Sequence, residues 1–214
     1  IAEHMVRSKR EAPHVTTVAE VDMTAVAELR RRHGPSYADQ GVKLTYMPFI
    51  LNAIARALKE HPDLNAEWTE KGILLKYRIH LGVAVAVEEG LIVPVVRDAD
   101  RLSLLDLATA IQTLAERTRA GKVSPADLAG GTFTVTNPGV FGAVLSTPII
   151  HQPQAAILAT GRVADAVGVV DGGIQIRKRM FLSLSYDHRI VDGASAARFL
   201  QRVREILETA DFQP

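Results

Sequence analysis

Residues 167–193 read VGVVDGGIQIRKRMFLSLSYDHRIVDG, and this stretch decides the fold class. Val167 to Val170 and Ile174 to Arg177 are β-rich runs on either side of Asp171-Gly172-Gly173, whose residues suit the tight turn of a hairpin. Phe181 to Tyr186 reads as one more strand, and it runs straight into Asp187-His188-Arg189. From Ala194 onward Ala197, Leu200, Val203, Ile206 and Leu207 recur at helical spacing. Hairpins of this kind argue against a purely parallel, doubly wound sheet. The expectation is a single α/β domain with a mixed, largely antiparallel sheet covered by helices.

The chain on the N-terminal side fits that expectation. A short amphipathic helix stopped by Pro13 is predicted first, then a strand from Val15 to Asp22 with period-two alternation. Thr24 to Arg32 reads as a helix ended by Gly34-Pro35. Thr45 is a plausible N-cap for a second helix, Met47 to His61, in which Pro48 sits in the first turn where no backbone donor is needed. Ile73 to Tyr77 and His80 to Val87 read as strands. The turn Glu88-Glu89-Gly90 then returns the chain as Leu91 to Val96. Ser103-x-x-Asp106 starts a helix that ends near Gly121. Thr132 to Thr136 and Ala155 to Thr160 are further short strands, the first ending in the turn Asn137-Pro138-Gly139.

Composition narrows the function. The chain has 214 residues, a net charge of +1, 47% hydrophobic and 23% charged residues, and no cysteine. Near-neutral charge excludes a nucleic-acid binder held by bulk charge. Zero cysteines exclude a disulfide scaffold, a thiolate metal site and a cysteine nucleophile. The longest apolar stretch, Met47 to Leu58, is interrupted by Asn52 and Arg56 and falls short of the ~20 residues that span a bilayer. The opening Ile-Ala-Glu-His-Met carries no signal-peptide layout and reads as the start of an excised fragment.

Of seven histidines, His4, His33 and His61 fall on or beside predicted helices, His14 and His80 adjoin strands, and His151 lies in a loop. A structural role is expected for these six. No pair has H-x-x-x-H or H-E-x-x-H spacing, so no metal site is expected. His188 differs, because it ends a core strand, with Asp192-Gly193 following at the start of a helix. A side chain there is held rigidly yet can reach a cavity. A charged turn capped by Asp192 explains the same residues equally well.

The run Asp187-His188-Arg189-Ile190-Val191-Asp192-Gly193 resembles the active-site signature of the dihydrolipoamide acyltransferases, the cores of 2-oxo acid dehydrogenase complexes. The likeness covers nearly the whole chain. Ile1 to Met5, Ser8-Lys9 and Pro13-His14-Val15 match the family's opening. Gly90 to Val95, Gly130 to Asn137, Ser146 to Ile150 and Pro153 to Ile157 follow in order. The short histidine motif also occurs in chloramphenicol acetyltransferases and in peptide-synthetase condensation domains.

The resemblance implies a chloramphenicol-acetyltransferase-like fold that forms homotrimers, which build a cubic or dodecahedral cage. It implies transfer of an acetyl, succinyl or branched-chain acyl group between dihydrolipoamide and coenzyme A. By this likeness His188 is the general base and Thr136 the oxyanion donor, contributed by neighbouring subunits. Asn137 contacts the pantetheine arm or merely starts its turn. Asp192 caps the last helix or pairs with an arginine upstream of Ile1, outside this sequence. Residues 1–214 are then a catalytic core. Its lipoyl and subunit-binding domains would lie upstream, and no lipoylation-type Asp-Lys-Ala occurs within it.

The implied partners are the lipoyl domain, a 2-oxo acid decarboxylase and dihydrolipoamide dehydrogenase. The implied compartment is the cytoplasm, or the mitochondrial matrix in a eukaryote. Arg30-Arg31-Arg32 and Arg177-Lys178-Arg179 are either coenzyme A phosphate ligands, solvated faces or subunit contacts. The apolar loop Val140 to Ile150 should be covered by something, such as another subunit. A free-standing coenzyme A acetyltransferase and a non-catalytic scaffold are the competing readings. The acyl group stays open. Val140-Phe141-Gly142 with Ser146-Thr147-Pro148 resembles succinyl-transferring members, but Pro138 stands where those commonly have Gly, and Ser8-Lys9 with Pro13-His14-Val15 resembles acetyl and branched-chain members more.

Overall fold

The segment after the Asp171-Gly172-Gly173 turn folds as one continuous strand rather than two. The computed structural model describes residues 2–88 and 90–213. Its elements are α1 (Ala2–Glu11), β1 (His14–Asp22), α2 (Thr24–Ala38), α3 (Met47–Glu60), β2 (Ala66–Thr69), β3 (Gly72–Leu75), β4 (Leu81–Val83), β5 (Val85–Val87) and β6 (Gly90–Ile92). They continue as β7 (Val95–Val96), α4 (Leu104–Arg119), α5 (Pro125–Leu128), β8 (Phe133–Thr136), β9 (Ala156–Thr160), β10 (Ala164–Val170), β11 (Gly173–Asp187) and α6 (Gly193–Thr209). The cations that look like a break in β11 are neutralised where they stand. Arg177 meets Asp22 at 2.7 Å, Lys178 meets Asp165 at 2.7 Å and Arg179 lies 3.8 Å from Glu20. Opposite charges on paired strands support the ladder instead of interrupting it. These ion pairs also leave that run poorly placed to serve as phosphate ligands.

The main sheet is mixed, in the order β1-β11-β9-β8-β4-β7, with β10 added to β11. β4, β8 and β9 are parallel, and the other pairings are antiparallel. β11 pairs with β1 from Arg179 to Asp187, whereas its first residues pair only with β10. That extension is a two-stranded ribbon. The cross-strand pairs Val167–Ile176 and Val169–Ile174 present four β-branched side chains, each more than 70% exposed.

The apolar run Met47 to Leu58 forms the most buried helix, α3, with Phe49, Ile50, Leu51, Ile54 and Leu58 in the core. Among the described residues no helix is long and apolar enough to cross a membrane. α6 lays Phe199, Leu200, Val203, Ile206 and Leu207 against β1 and α3, as their helical spacing requires. α4 starts where its signal says. Ser103 Oγ accepts from the Asp106 backbone N–H, and the Asp106 carboxylate accepts in return from Ser103.

Three segments differ from the sequence reading or add to it. α2 does not stop at Gly34-Pro35 but continues to Ala38. A residue before proline is pushed out of helix partly by its own Cβ, and Gly34 has none. Pro35 is exposed, and Tyr37 beyond it is buried and anchors the last turn. Second, Ala66–Thr69, given no element above, is a strand pairing with β3, and its Ala66 and Trp68 alternate with Glu67 and Thr69. Third, the hairpin expected from His80 to Val96 splits. β4 and β7 join the main sheet, while β5 and β6 peel away as a separate ribbon. The Glu88-Glu89-Gly90 turn includes Glu89, which lies outside the described residues.

Candidate active site

β11 delivers His188 to a fixed place. Its backbone N–H donates to the Pro13 carbonyl at 3.0 Å, so the residue is tied to the chain entering β1. Around it, Asp187 is buried and grips Arg189. Arg189 Nη2 donates to Asp187 Oδ2 at 2.6 Å, its Nε to Oδ1 at 3.0 Å, and its backbone N–H to Oδ1 at 3.0 Å. The Arg189 guanidinium lies over the Trp68 ring, 5.0 Å from its centroid. Tyr186, buried on the other side, has its ring 6.0 Å from the imidazole. The turn is thus locked by its neighbours, while His188 itself remains exposed.

Asp192 takes the first of its two expected roles. Its Oδ1 accepts from the Ser195 backbone N–H at 2.7 Å and caps α6. That hydrogen bond lowers its carboxyl pKa, with Arg198 adding a smaller effect in the same direction.

Thr136 ends β8 beside Ala159 of β9. It opens onto a cavity of about 790 Å³ lined by α1, β6, β8 and the loop around Ser146–His151. Asn137 follows at the start of a 3₁₀ turn, Pro138–Phe141, and its side chain makes no capping hydrogen bond there. Close backbone packing sets this turn instead. A Cβ on Gly139 would collide with the backbone of Gly161, and one on Gly161 would collide with the Val144 carbonyl.

Within one chain His188 and Thr136 do not meet. Thr136 registers with Ala159, and Ala159 with Ser183. His188 lies beyond Asp187 at the far end of β11. With ~3.3 Å per residue and ~4.8 Å between strands, the two residues sit about 20 Å apart.

The remaining histidines divide. His14 is structural: Nδ1 donates to the Ala12 carbonyl at 2.8 Å, and Nε2 accepts from the Ile150 N–H at 3.0 Å. Ser8 Oγ donates to the Ile150 carbonyl at 2.6 Å, so both backbone groups of Ile150 are held. Burial lowers the His14 pKa, offset in part by the Ala12 hydrogen bond. His80 Nδ1 accepts from the Asp98 N–H at 2.9 Å, and burial lowers its pKa too. His61 packs edge-on against Phe199.

His4 and His151, expected to be structural, line the same cavity as Thr136. Burial lowers the His151 pKa, and His4 reinforces the shift. Their positions in sequence give no spacing signal that would join them to Thr136. Among the described residues no cluster of three or more His, Asp or Glu side chains is arranged to hold a metal.

The profile of the 2-oxoacid dehydrogenases acyltransferase (catalytic domain) family matches residues 1–212. The succinyltransferase component of the 2-oxoglutarate dehydrogenase complex of Bartonella vinsonii subsp. berkhoffii is 46% identical over 209 residues, covering 97% of this chain and 51% of that protein. The acetyltransferase component of the pyruvate dehydrogenase complex of Corynebacterium glutamicum is also 46% identical, over 93% of this chain and 30% of its own length. The chain therefore spans about half, or less, of the curated relatives it matches.

Among solved structures, the dihydrolipoamide acetyltransferase of Azotobacter vinelandii superposes with a TM-score of 0.94 at 38% identity, over 98% of this chain and 87% of that one. That structure concerns the roles of a serine, a histidine and an asparagine in the enzyme's catalytic mechanism. The cubic core of a pyruvate dehydrogenase multienzyme complex gives the same TM-score, identity and coverage. A chloramphenicol acetyltransferase shares the fold at a TM-score of 0.61 and 13% identity, covering 96% of this chain and 94% of that one.

Proposed function

From the premise that this chain belongs to the 2-oxoacid dehydrogenase acyltransferase catalytic-domain family, we propose that it transfers an acyl group between the thiols of dihydrolipoamide and coenzyme A. One observation carries this reading. The locked turn Asp187–Gly193 holds out an exposed imidazole at a telling position. In the Azotobacter enzyme the intervals from serine to histidine and from histidine to asparagine equal those from Thr136 to His188 and from His188 to Asp192. Thr136 retains the hydroxyl of the serine. Asp192 replaces an amide with a carboxylate, and this chain uses it as a helix cap.

A thiol with a pKa near ~8.5 is mostly protonated at neutral pH and attacks poorly. His188 takes that proton, and the thiolate sulfur bonds to the thioester carbonyl carbon. The carbonyl π pair moves to oxygen, and the Thr136 hydroxyl donates a hydrogen bond to the oxyanion, worth roughly 3–4 kcal/mol. Collapse of the intermediate breaks the original carbon–sulfur bond, and the departing thiolate recovers the proton from the His188 imidazolium. Both sulfurs belong to substrates, which suits a chain without cysteine. Asn137 stands beside Thr136 and is assigned to the pantetheine arm of coenzyme A.

Because His188 and Thr136 are about 20 Å apart in one chain, the working site pairs His188 of one copy with Thr136 of another. We assign the chain to a homotrimer within a cage. Exposed Val140, Phe141, Val144 and Leu145 support coverage of their loop by a neighbouring copy. Residues 1–214 form the catalytic core of a longer protein, whose lipoyl and subunit-binding domains lie upstream. The decarboxylase and dihydrolipoamide dehydrogenase are its partners, and the cytoplasm its compartment.

The test adds free dihydrolipoamide and acyl-coenzyme A to the assembled protein. Acyl-dihydrolipoamide should accumulate. An assembled particle without transfer above background would refute the enzyme in favour of a scaffold. Transfer by a particle that never exceeds a trimer would favour the free-standing acetyltransferase.

A further inference from the structure

Resting on that acyltransferase reading, we propose that Trp68 is a positioning residue for His188, acting through Arg189 from a ribbon outside the histidine turn. The Arg189 Cζ lies over the indole ring, 5.0 Å from its centroid. Arg189 commits its Nε, Nη2 and backbone N–H to the Asp187 carboxylate. Those hydrogen bonds fix the edge of the guanidinium and leave its flat face to be covered. An aromatic ring suits that face, because a planar cation stacks on it. The contact lies within one chain and does not depend on what a second copy adds to the site.

The ribbon of β2 and β3 is tied down so that the indole stays there. Buried Asn65 donates from Nδ2 to the Lys76 and Arg78 carbonyls at 2.7 and 2.9 Å, and its own carbonyl accepts from the Lys76 N–H at 2.8 Å. These bonds close the base of the ribbon. Lys76 Nζ meets Glu67 at 2.9 Å, on the face opposite Trp68. Backbone groups then join the ribbon to the site. The Ala155 N–H donates to the Ala66 carbonyl at 2.8 Å, and the Asp187 N–H donates to the Ala155 carbonyl at 2.9 Å. Trp68 stands two residues beyond Ala66 and Arg189 two beyond Asp187, so this ladder brings the two side chains together. Trp68 is 44% exposed, which is a poor use of an indole for filling the core.

Without the ring, water reaches the guanidinium face and competes for the Asp187 hydrogen bonds. The turn that carries the imidazole then loosens. A misplaced base costs rate, while substrate binding is left largely intact.

The test measures kcat and both KM values for Trp68→Leu and Trp68→Phe in the assembled protein. Trp68→Leu keeps an apolar contact without a π face and should lower kcat about 5-fold, the scale of one cation–π contact, with both KM values within about 2-fold. Trp68→Phe keeps a ring and should hold kcat within about 2-fold of the parent. In an Arg189→Met background, Trp68→Leu should cost no further kcat, because its route to His188 is already cut. Equal losses in the two Trp68 variants, or a full loss in the Arg189→Met background, would overturn the proposal.

A second readout needs no catalysis and no Trp68 variant. Trp68 is the chain's only tryptophan, so Arg189→Met should shift the emission of the folded protein by removing the charge beside the indole. An unshifted spectrum would overturn the contact, even where Trp68→Leu does not fold. Absence of acyl transfer in the unaltered protein would instead overturn the acyltransferase reading beneath the proposal.

Discussion

Asp187 and Arg189 hold each other across the residue between them, with four hydrogen bonds of 2.6 to 3.1 Å from Arg189 to one buried carboxylate. The residue they straddle is His188. Removing the guanidinium leaves a buried charge without its partner, at a cost of about 3 kcal/mol. Arg189→Met should lower the denaturation midpoint accordingly and also reduce kcat, because the imidazole loses its fixed backbone. Arg189→Lys should recover much of the stability but less of the kcat, since an ammonium cannot reproduce the bidentate grip. Equal recovery of both would show that the pair acts only through stability.

His188→Ala should cut turnover at least ~100-fold, the usual scale for a lost general base. The side chain is exposed, so the same variant should unfold within ~0.5 kcal/mol of the parent. Steady-state kinetics and urea melts read the two quantities. Turnover at the parent rate would remove His188 from the reaction.

Thr136→Ala should reduce kcat by about 100-fold or more and leave the coenzyme A KM nearly unchanged, because an oxyanion donor acts in the transition state. Thr136→Ser should retain most activity. A decisive form mixes two inactive copies, one His188→Ala and one Thr136→Ala. Co-assembled at equal amounts, they should regain roughly a quarter of parental activity if each site takes one residue from each of two copies. No recovery from mixed particles would place both residues within a single chain's site.

Gly161→Ala should destabilise the protein by about 1–3 kcal/mol, the usual cost of overpacking. Its Cβ would collide with the Val144 carbonyl, forcing the loop after Thr136 to move. Turnover should fall with it, whereas Gly121→Ala, with open space at a positive φ and outside the cavity lining, should affect stability alone. A fully active, fully stable Gly161→Ala protein would contradict the packing described.

Acid should weaken the fold through His14. Its folded pKa lies below its ordinary 6.5, chiefly because of burial. The unfolded chain therefore binds the proton first, and stability is complete above about pH 6.5 and falls as pH drops through the folded value. Protonating Nε2 would also cost the hydrogen bond it accepts from Ile150. Chemical melts between pH 7.5 and 5 should show this decline, and His14→Gln should flatten it. An unchanged slope in that variant would assign the effect to His80 and His151, whose burial shifts them the same way.

Much of the fold is legible in the chain. The capping box at Ser103, the helical stripe of α6 and the hairpin at Asp171–Gly173 are local signals, and local chemistry decided each. The misreadings have more than one cause. The cations inside β11 find carboxylates on β1 and β10, while α2 runs on because Gly34 lacks the Cβ that would crowd Pro35. The site was legible only in part. His188 announces itself by its neighbours in sequence, and the resemblance supplied Thr136. The cavity-lining His4 and His151 could not be found, because only the folded packing of α1 against the Ile150 loop brings them to Thr136.

The ribbon of β10 and the start of β11 bears on how the protein behaves as a single copy in dilute solution. A two-stranded edge carrying four exposed β-branched side chains offers both unpaired backbone and an oily face to any strand it meets. Folding alone therefore leaves a lone chain with a surface that invites aggregation. Any contact that covers this ribbon would remove that hazard at the same time as it buries the four side chains.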